Sequence, residues 1–265
     1  MRVSPAVPGA VACYHVYMHM LTCGRCTLFN ACIRYNSPVA EVDYSGARVQ
    51  VTTASGELFV ADKVIVTASI GVLQSGTIAF VPELSQPKKA AIAAVEFLPG
   101  LKLFMKFSEK FYSDALYDGG TDTSGTGEKG FYDVAYKKES TDNVLALLVT
   151  GSYYTPYALD SKEAVLAAAL KELDTIYDGT PTRTFTGEYR LEDWGRKEFV
   201  KGTWVVGSSM EPSVLEAINL PLLDKVFFAG EAHDVNHQLG VPGAIFSGFD
   251  AVDLMLQQSS TTTQV

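Results

Sequence analysis

Apolar and polar residues alternate in short stretches from residue 39 onward, and this period of two is typical of half-buried strands. Val39, Val49 and Val51 alternate with polar neighbours, and Ser55-Gly56 supplies a turn. The β-branched run 63–68 instead predicts a strand that is covered on both faces. Further strands are expected at 57–60, 101–107, 143–149 and 226–229.

Other segments have apolar residues at helical spacing. In 160–178 these residues share one face, Asp160 and Glu163 form a capping-box pattern, and Gly179 is placed to end the helix. Further helices are expected at 86–95 and 243–257. Helices mixed with strands indicate an α/β or α+β fold.

Three segments lack such periodicity. Residues 1–32 are rich in Cys, His and Met and show neither helical nor strand spacing, so they stay unassigned. Residues 117–130 are rich in Gly, Asp and Thr, which predicts a loop. The polar tail 259–265 is expected to be disordered.

Composition narrows the class of protein. With 47% hydrophobic residues, the chain can bury a core and is not generally disordered. A net charge of -9 argues against nucleic-acid partners and against docking on an anionic membrane. No apolar run reaches the roughly 20 residues that a membrane-spanning helix needs. We therefore expect a soluble protein.

All four cysteines lie within the first 32 residues, so disulfides cannot brace the rest of the chain. This favours a reduced, intracellular fold, although the apolar stretch near the start leaves a signal peptide as an alternative. His15, His19, Cys23 and Cys26 are too closely spaced for a zinc finger, and no metal site is expected.

The strongest candidate site lies in 226–248. A buried strand ends in Gly230-Glu231, and a helix opens at 241–244. Glycine lets a ligand approach the backbone closely, and the N–H groups of a helix start bind anionic oxygens. The Glu231 carboxylate would suit ribose or ribityl hydroxyls. The alternative is an ordinary strand–loop–helix connection.

Several other residues allow two interpretations. Alternation places Lys102, Phe104 and Lys106 on one face of a strand, which is either a solvent-exposed face or a functional one. Residues 125–130 match G-x-G-x-x-G by spelling, but no strand precedes them and no helix follows. His233 and His237 are interpreted as surface residues.

The segment 226–248 resembles the C-terminal flavin-binding motif of the FAD-dependent amine oxidases, the family of polyamine oxidases and lysine-specific histone demethylases. The resemblance covers about 33–258. Three more stretches are similar to this family in the same order: 36–39 (NSPV), 61–76 (ADKVIVT, then GVL and Gly76), and Trp194 followed by 202–204 (GTW).

The resemblance implies that FAD is the cofactor. Val39 would lie over the adenine, Glu231 would bind the ribityl and diphosphate region, and the Val241 N–H would face the flavin pyrimidine. Trp194 would pack against the isoalloxazine ring. The cofactor-binding residues that the resemblance implies are Val39, Trp194, Gly230, Glu231, Val241, Gly243 and Ala244.

The resemblance also implies a reaction. A polyamine-like amine would pass a hydride to flavin N5, and oxygen would reoxidise the flavin, giving aldehyde, amine and hydrogen peroxide. Lys102 would be the catalytic residue that holds a water at N5. Trp204 would form one wall of the substrate cage, and Gly240 stands at another cage position. Without the resemblance, core packing is the alternative interpretation of Trp194 and Trp204.

The fold that the resemblance implies is α/β: the C-terminal part of an FAD/NAD(P)-binding Rossmann-like domain, interrupted by a mixed-sheet substrate domain. Residues 33–69 and 205–258 would form the FAD-binding part and 70–204 the substrate part. The family's N-terminal βαβ unit with its glycine fingerprint is expected to be missing. The alternative function is therefore a truncated, non-catalytic chain that does not hold FAD by itself.

Overall fold

The computed structural model describes the backbone of residues 10–13, 33–113, 127–206, 211–234, 236–237 and 240–261, and side chains within 33–257 of these ranges. The set His15, His19, Cys23 and Cys26 lies outside the described residues, as does most of the predicted loop 117–130. The chain divides into two compact units. The first holds the described residues up to Phe97, Glu198–Val200 and those from Trp204 onward, and the second holds Leu98–Lys197 and Lys201–Thr203.

The first unit contains a parallel three-stranded sheet in the order β1-β5-β11. Strands β5 and β11 confirm two predicted strands, but β1 lies in a segment for which no strand was expected. The four residues of β1, AVAC, show no alternation of apolar and polar positions that would reveal a strand. The three strands are β1 (Ala10–Cys13), β5 (Lys63–Val66) and β11 (Val226–Phe228).

A second sheet of the first unit has the order β4-β3-β2-β6, in which only the β2–β6 pair is parallel. Its buried residues Val42, Val49 and Val51 share a core cluster with β5 and β11. The alternating pattern therefore marks the face that packs inward. The strands are β2 (Val39–Asp43), β3 (Val49–Thr53), β4 (Leu58–Ala61) and β6 (Ala79–Val81).

The described residues of the first unit form four α-helices. The last begins at Val241, two residues before its predicted start, and its backbone continues to Thr261. Residues 259–261 of the predicted disordered tail are thus helical, and 262–265 lie outside the described residues. The helices are α1 (Ile70–Ser75), α2 (Gln86–Ala94), α5 (Pro212–Asn219) and α6 (Val241–Thr261).

The boundary between the units differs from the predicted one. Residues 70–97 were assigned to the substrate domain, yet α1, β6 and α2 lie in the first unit. The reason is packing, because Ile70 and Ile92 share a buried cluster with Val205 and Ile218. Trp204, also assigned to the substrate domain, belongs to the first unit as well.

The part of the second unit that the structure describes contains a four-stranded sheet in the order β10-β7-β9-β8. The expected sheet was mixed, but every strand pair described in this unit is antiparallel. Along β7 every second residue from Leu101 to Phe107 is buried, whereas Lys102, Phe104 and Lys106 are half-buried, so the predicted alternation is confirmed. The strands are β7 (Gly100–Phe107), β8 (Lys129–Asp133), β9 (Asn143–Thr150) and β10 (Phe185–Asp193).

Helix α3 (Lys162–Ile176) of the second unit confirms the clearest predicted helix, but its cap differs. The N-cap is Ser161, whose hydroxyl accepts a hydrogen bond from the Ala164 N–H at 3.1 Å, rather than Asp160. A short helix, α4 (Thr180–Thr184), follows. None of the helices in the described ranges is both long and apolar enough to cross a membrane.

Candidate functional site

The carboxyl end of β11 turns sharply at Gly230. This residue has φ 152° and ψ 179°, a conformation that is essentially reserved for glycine. Ser247 of α6 fixes it from both sides: its hydroxyl accepts from the Gly230 N–H at 3.0 Å and donates to the Gly230 carbonyl at 2.8 Å. The strand end is therefore fastened to α6.

Glu231 begins the single 3-10 turn Glu231–His233 that follows. Its carboxylate is half-buried, and its Oε1 accepts a hydrogen bond from the Val205 N–H at 2.9 Å. Burial raises the pKa of Glu231, and the Val205 N–H partly opposes this rise. This held, partly desolvated carboxylate is a good acceptor for the hydroxyl groups of a ligand.

The first turn of α6 contains the other candidates from this segment. Gly243 is buried on the same helix face as Ser247, whereas Val241 is 62% exposed and Ala244 is also exposed. The Ala244 N–H closes the turn on the Gly240 carbonyl at 3.4 Å. Because Ser247 contacts Gly230, this helix start belongs to the same local arrangement as the Glu231 turn.

Two further candidates in the first unit lie beside these elements. Trp204 is half-buried and directly precedes Val205, whose N–H holds Glu231. Val39 begins β2 and packs against the core cluster that includes β11 residues. The roles of Trp204 at the substrate and of Val39 at the adenine stay predictions.

Lys102 and Trp194 lie in the second unit, at the same end of β7. The Trp194 N–H donates to the Gly100 carbonyl at 3.0 Å, and the Trp194 carbonyl accepts from Gly202 at 3.0 Å. Lys102 is half-buried, with its Nζ 5.4 Å from the centroid of the Tyr132 ring. The backbone of Trp194 thus lies beside Gly100, two residues before Lys102 in the same strand, and both candidates belong to a different unit from the Glu231 turn.

The prediction for His233 is wrong, because its side chain is buried and only 5% exposed. Its imidazole is covered by Phe228, whose ring stacks on it with centroids 6.2 Å apart. His237 is half exposed in its side chain, as expected, and its Nδ1 lies 3.2 Å from Asp234. Within the described ranges, no cluster of three or more His, Cys, Asp or Glu residues could hold a metal ion.

Sequence reasoning missed two groups that build the site. Ser247 is the residue that fixes Gly230, and its signal was its position four residues after Gly243, on the same helix face. The backbone N–H of Val205 holds Glu231, and a backbone donor leaves no trace in the sequence.

Gly230→Ala is expected to destabilise the protein by about 1–3 kcal/mol, because an L-residue is strained at this φ and ψ. Gly248→Ala in α6 is the matched control: nothing lies within 4 Å of the added Cβ, and a helix interior favours alanine. Urea denaturation followed by circular dichroism measures both. Equal stability of the Gly230→Ala variant and the wild type would show that the turn tolerates a side chain.

A sequence profile described as "Flavin containing amine oxidoreductase" matches residues 30–256 of the chain. A search of curated proteins finds lysine-specific histone demethylase 1B of Mus musculus, 31% identical over 82% of this chain and 26% of that protein. It also finds polyamine oxidase 1 of Zea mays, 30% identical over 84% of this chain and 45% of that protein. The chain therefore spans less than half the length of these relatives.

Among solved structures, cyclohexylamine oxidase from Brevibacterium oxydans IH-35A matches with a TM-score of 0.62. The match covers 84% of this chain and 48% of that one at 21% sequence identity. At this identity the likeness concerns the fold, which is a mixed α/β fold of the kind seen in that oxidase.

Proposed function

The chain belongs to the flavin-containing amine oxidoreductase family, and we propose from this premise that it takes part in FAD-dependent oxidation of amines. In this proposal the first unit is the C-terminal part of a Rossmann-like FAD-binding domain, and the second is part of a substrate domain. The substrate is a small polyamine-like amine. Two relatives named polyamine oxidases, from Zea mays and Oryza sativa, support this substrate class.

One observation carries the proposal: the Glu231 carboxylate follows the carboxyl end of a parallel strand. It lies next to Gly230, whose backbone conformation requires a residue without a side chain. Ligands of open α/β sheets bind at the carboxyl ends of the strands. The donor and acceptor chemistry fits a flavin nucleotide, because the carboxylate suits hydroxyls and a helix start suits carbonyl or phosphate oxygens.

Each residue of the first unit has a defined task in this proposal. Glu231 accepts hydrogen bonds from ribityl hydroxyls, and the exposed start of α6 at Val241 presents N–H groups and the positive end of the helix dipole. Gly230 and Ala244 keep the backbone accessible, and Gly243, which is buried, adds no side chain beneath the first turn of α6. Val39 contributes an apolar contact for the adenine.

The remaining candidates act on the ring and the substrate. Bound FAD supplies the two-electron oxidation itself. Trp194 provides an aromatic surface for the isoalloxazine, and Lys102 provides a cation that holds a water and favours reaction with oxygen, which yields hydrogen peroxide. Trp204 offers an aromatic face to a cationic amine, and Gly240 leaves room beside it.

The alternative is a non-catalytic chain that does not hold FAD by itself. The observation that favours it is coverage: the chain matches only 45% of the length of the maize polyamine oxidase. In this alternative the N–H groups that bind the FAD diphosphate are not supplied by the chain, and cofactor binding is strongly weakened.

Titration of the purified chain with FAD separates the two candidates. The proposal predicts saturable quenching of flavin fluorescence and peroxide release on addition of spermine or spermidine. Glu231→Gln is expected to weaken FAD binding roughly tenfold or more, because it removes a charged hydrogen-bond acceptor. Glu216→Gln, at an exposed position on α5, is the control and should bind as the wild type does. Absence of saturable binding supports the alternative.

A further inference from the structure

We propose that Lys88 and Asn219 are positioning residues for the turn Glu231–His233: together they fix the end of α5 and, through His233, the backbone that presents Glu231. The inference rests on the function proposed above, since this turn is where that function places the ribityl hydroxyls. Neither residue contacts the ligand in this proposal.

Lys88 is a buried lysine whose donors are all used at one place. Its side chain extends from α2 and is 3% exposed. The Nζ donates to the carbonyls of Ala217 at 3.3 Å, Ile218 at 2.9 Å and Leu220 at 2.7 Å. The last carbonyls of a helix have no partner within it and carry the negative end of its dipole. Lys88 therefore caps α5 from a neighbouring helix.

Asn219 transmits this constraint to the turn. It is the last residue of α5, and its Nδ2 donates to the His233 carbonyl at 3.0 Å. The His233 carbonyl can only accept, so the amide NH2 of Asn219 must face it. This leaves the Asn219 Oδ1 facing the imidazole, where it accepts from the His233 Nδ1–H at 2.6 Å. The His233 N–H in turn donates to the Gly230 carbonyl at 3.0 Å. Two side-chain bonds thus hold the end of the turn that Glu231 begins.

The Phe228 ring contacts both Lys88 and His233. The Lys88 Nζ lies 3.9 Å from the Phe228 ring centroid, and the His233 ring stacks on Phe228 with an angle of 21° between the planes. Burial lowers the pKa of Lys88 to about 7, whereas the carbonyl acceptors and the aromatic face favour its ammonium form. An apolar replacement would leave the carbonyls of Ala217, Ile218 and Leu220 without this donor.

Hydrogen exchange of the chain without cofactor tests the arrangement directly. In Lys88→Met, the amides of Glu231–His233 are expected to exchange roughly tenfold faster than in Lys89→Met, while those of β2 and β3 stay unchanged. Lys89 is the matched control, because it neighbours Lys88 but pairs with Glu83 near the surface. Asn219→Leu removes both bonds to His233 with Lys88 intact, so it should loosen the same amides.

Unchanged exchange of the turn in Asn219→Leu, or uniformly faster exchange of the whole first unit in both variants, would overturn the inference. FAD titration is the second readout, and both variants are expected to raise the dissociation constant roughly tenfold over the Lys89→Met variant. If the wild type binds no FAD, the proposed function fails, while the exchange pattern still decides whether Lys88 and Asn219 fix the turn. If the wild type binds FAD and both variants bind it equally well, the positioning inference fails alone.

Discussion

Replacing Lys102 by methionine is expected, under the proposed function, to slow the reaction of the reduced, FAD-loaded protein with oxygen by roughly 100-fold, the usual cost of removing one positioned charge. Lys102 lies on the half-buried face of β7, and its Nζ lies 5.4 Å from the centroid of the Tyr132 ring. Methionine keeps the length and the apolar stem but removes the charge. Stopped-flow mixing of dithionite-reduced enzyme with oxygenated buffer measures the rate.

Lys106→Met is the matched control for this experiment. Lys106 is two residues further along the same face of β7, and it pairs with Asp142 at 3.3 Å and Glu188 at 3.8 Å. These carboxylates raise the pKa of Lys106, because its ammonium group pairs with both of them. Equal slowing in both variants, or no slowing in Lys102→Met, would remove Lys102 from its proposed role.

The second large effect concerns acid stability. His233 is buried as a neutral imidazole, and burial, followed by the charge of Lys88, lowers its pKa to about 3 from the usual 6.5. As the pH falls, the imidazole of His233 therefore takes up a proton at a higher pH in the unfolded chain than in the folded one. The resulting stability is fully present above pH 6.5 and is lost progressively as the pH falls toward 3, by roughly 2–3 kcal/mol at pH 4.5.

Urea unfolding at pH 7 and pH 4.5 measures this loss. His233→Gln cannot take up the proton, so the variant, although less stable at pH 7, is expected to lose roughly 2–3 kcal/mol less than the wild type between the two values. His237→Gln is the control, because it replaces a histidine of the same segment whose side chain is half exposed rather than buried. An unaltered pH dependence in His233→Gln would show that other groups cause the acid sensitivity.

Local patterns were sufficient for much of the fold. The alternation along β7 correctly separated the buried residues from the face that carries Lys102. The strand, glycine and helix start around Glu231 were placed together because they are adjacent in sequence and their residue types restrict the backbone. The cap of α3 was missed by one residue, since Asp160 and Ser161 are both good caps and only the backbone angles show which one leaves the helix.

Features that depend on distant partners could not be predicted. Lys88 donates to carbonyls about 130 positions away in sequence, and its neighbour Lys89 makes the pair resemble an ordinary polar helix face. The burial of His233 depends on Asn219 and Phe228, which belong to other elements. Burial of a polar side chain is a property of tertiary packing, and its sequence signal is weak.

A crystal structure of the chain grown with FAD tests most directly the claim that the Glu231 turn and the start of α6 were built around a flavin nucleotide. The account predicts a ribityl hydroxyl within hydrogen-bond distance, about 3 Å, of the Glu231 carboxylate, with the flavin pyrimidine facing the first turn of α6. A bound flavin away from both elements, with Glu231 contacting only the Val205 N–H, would contradict it.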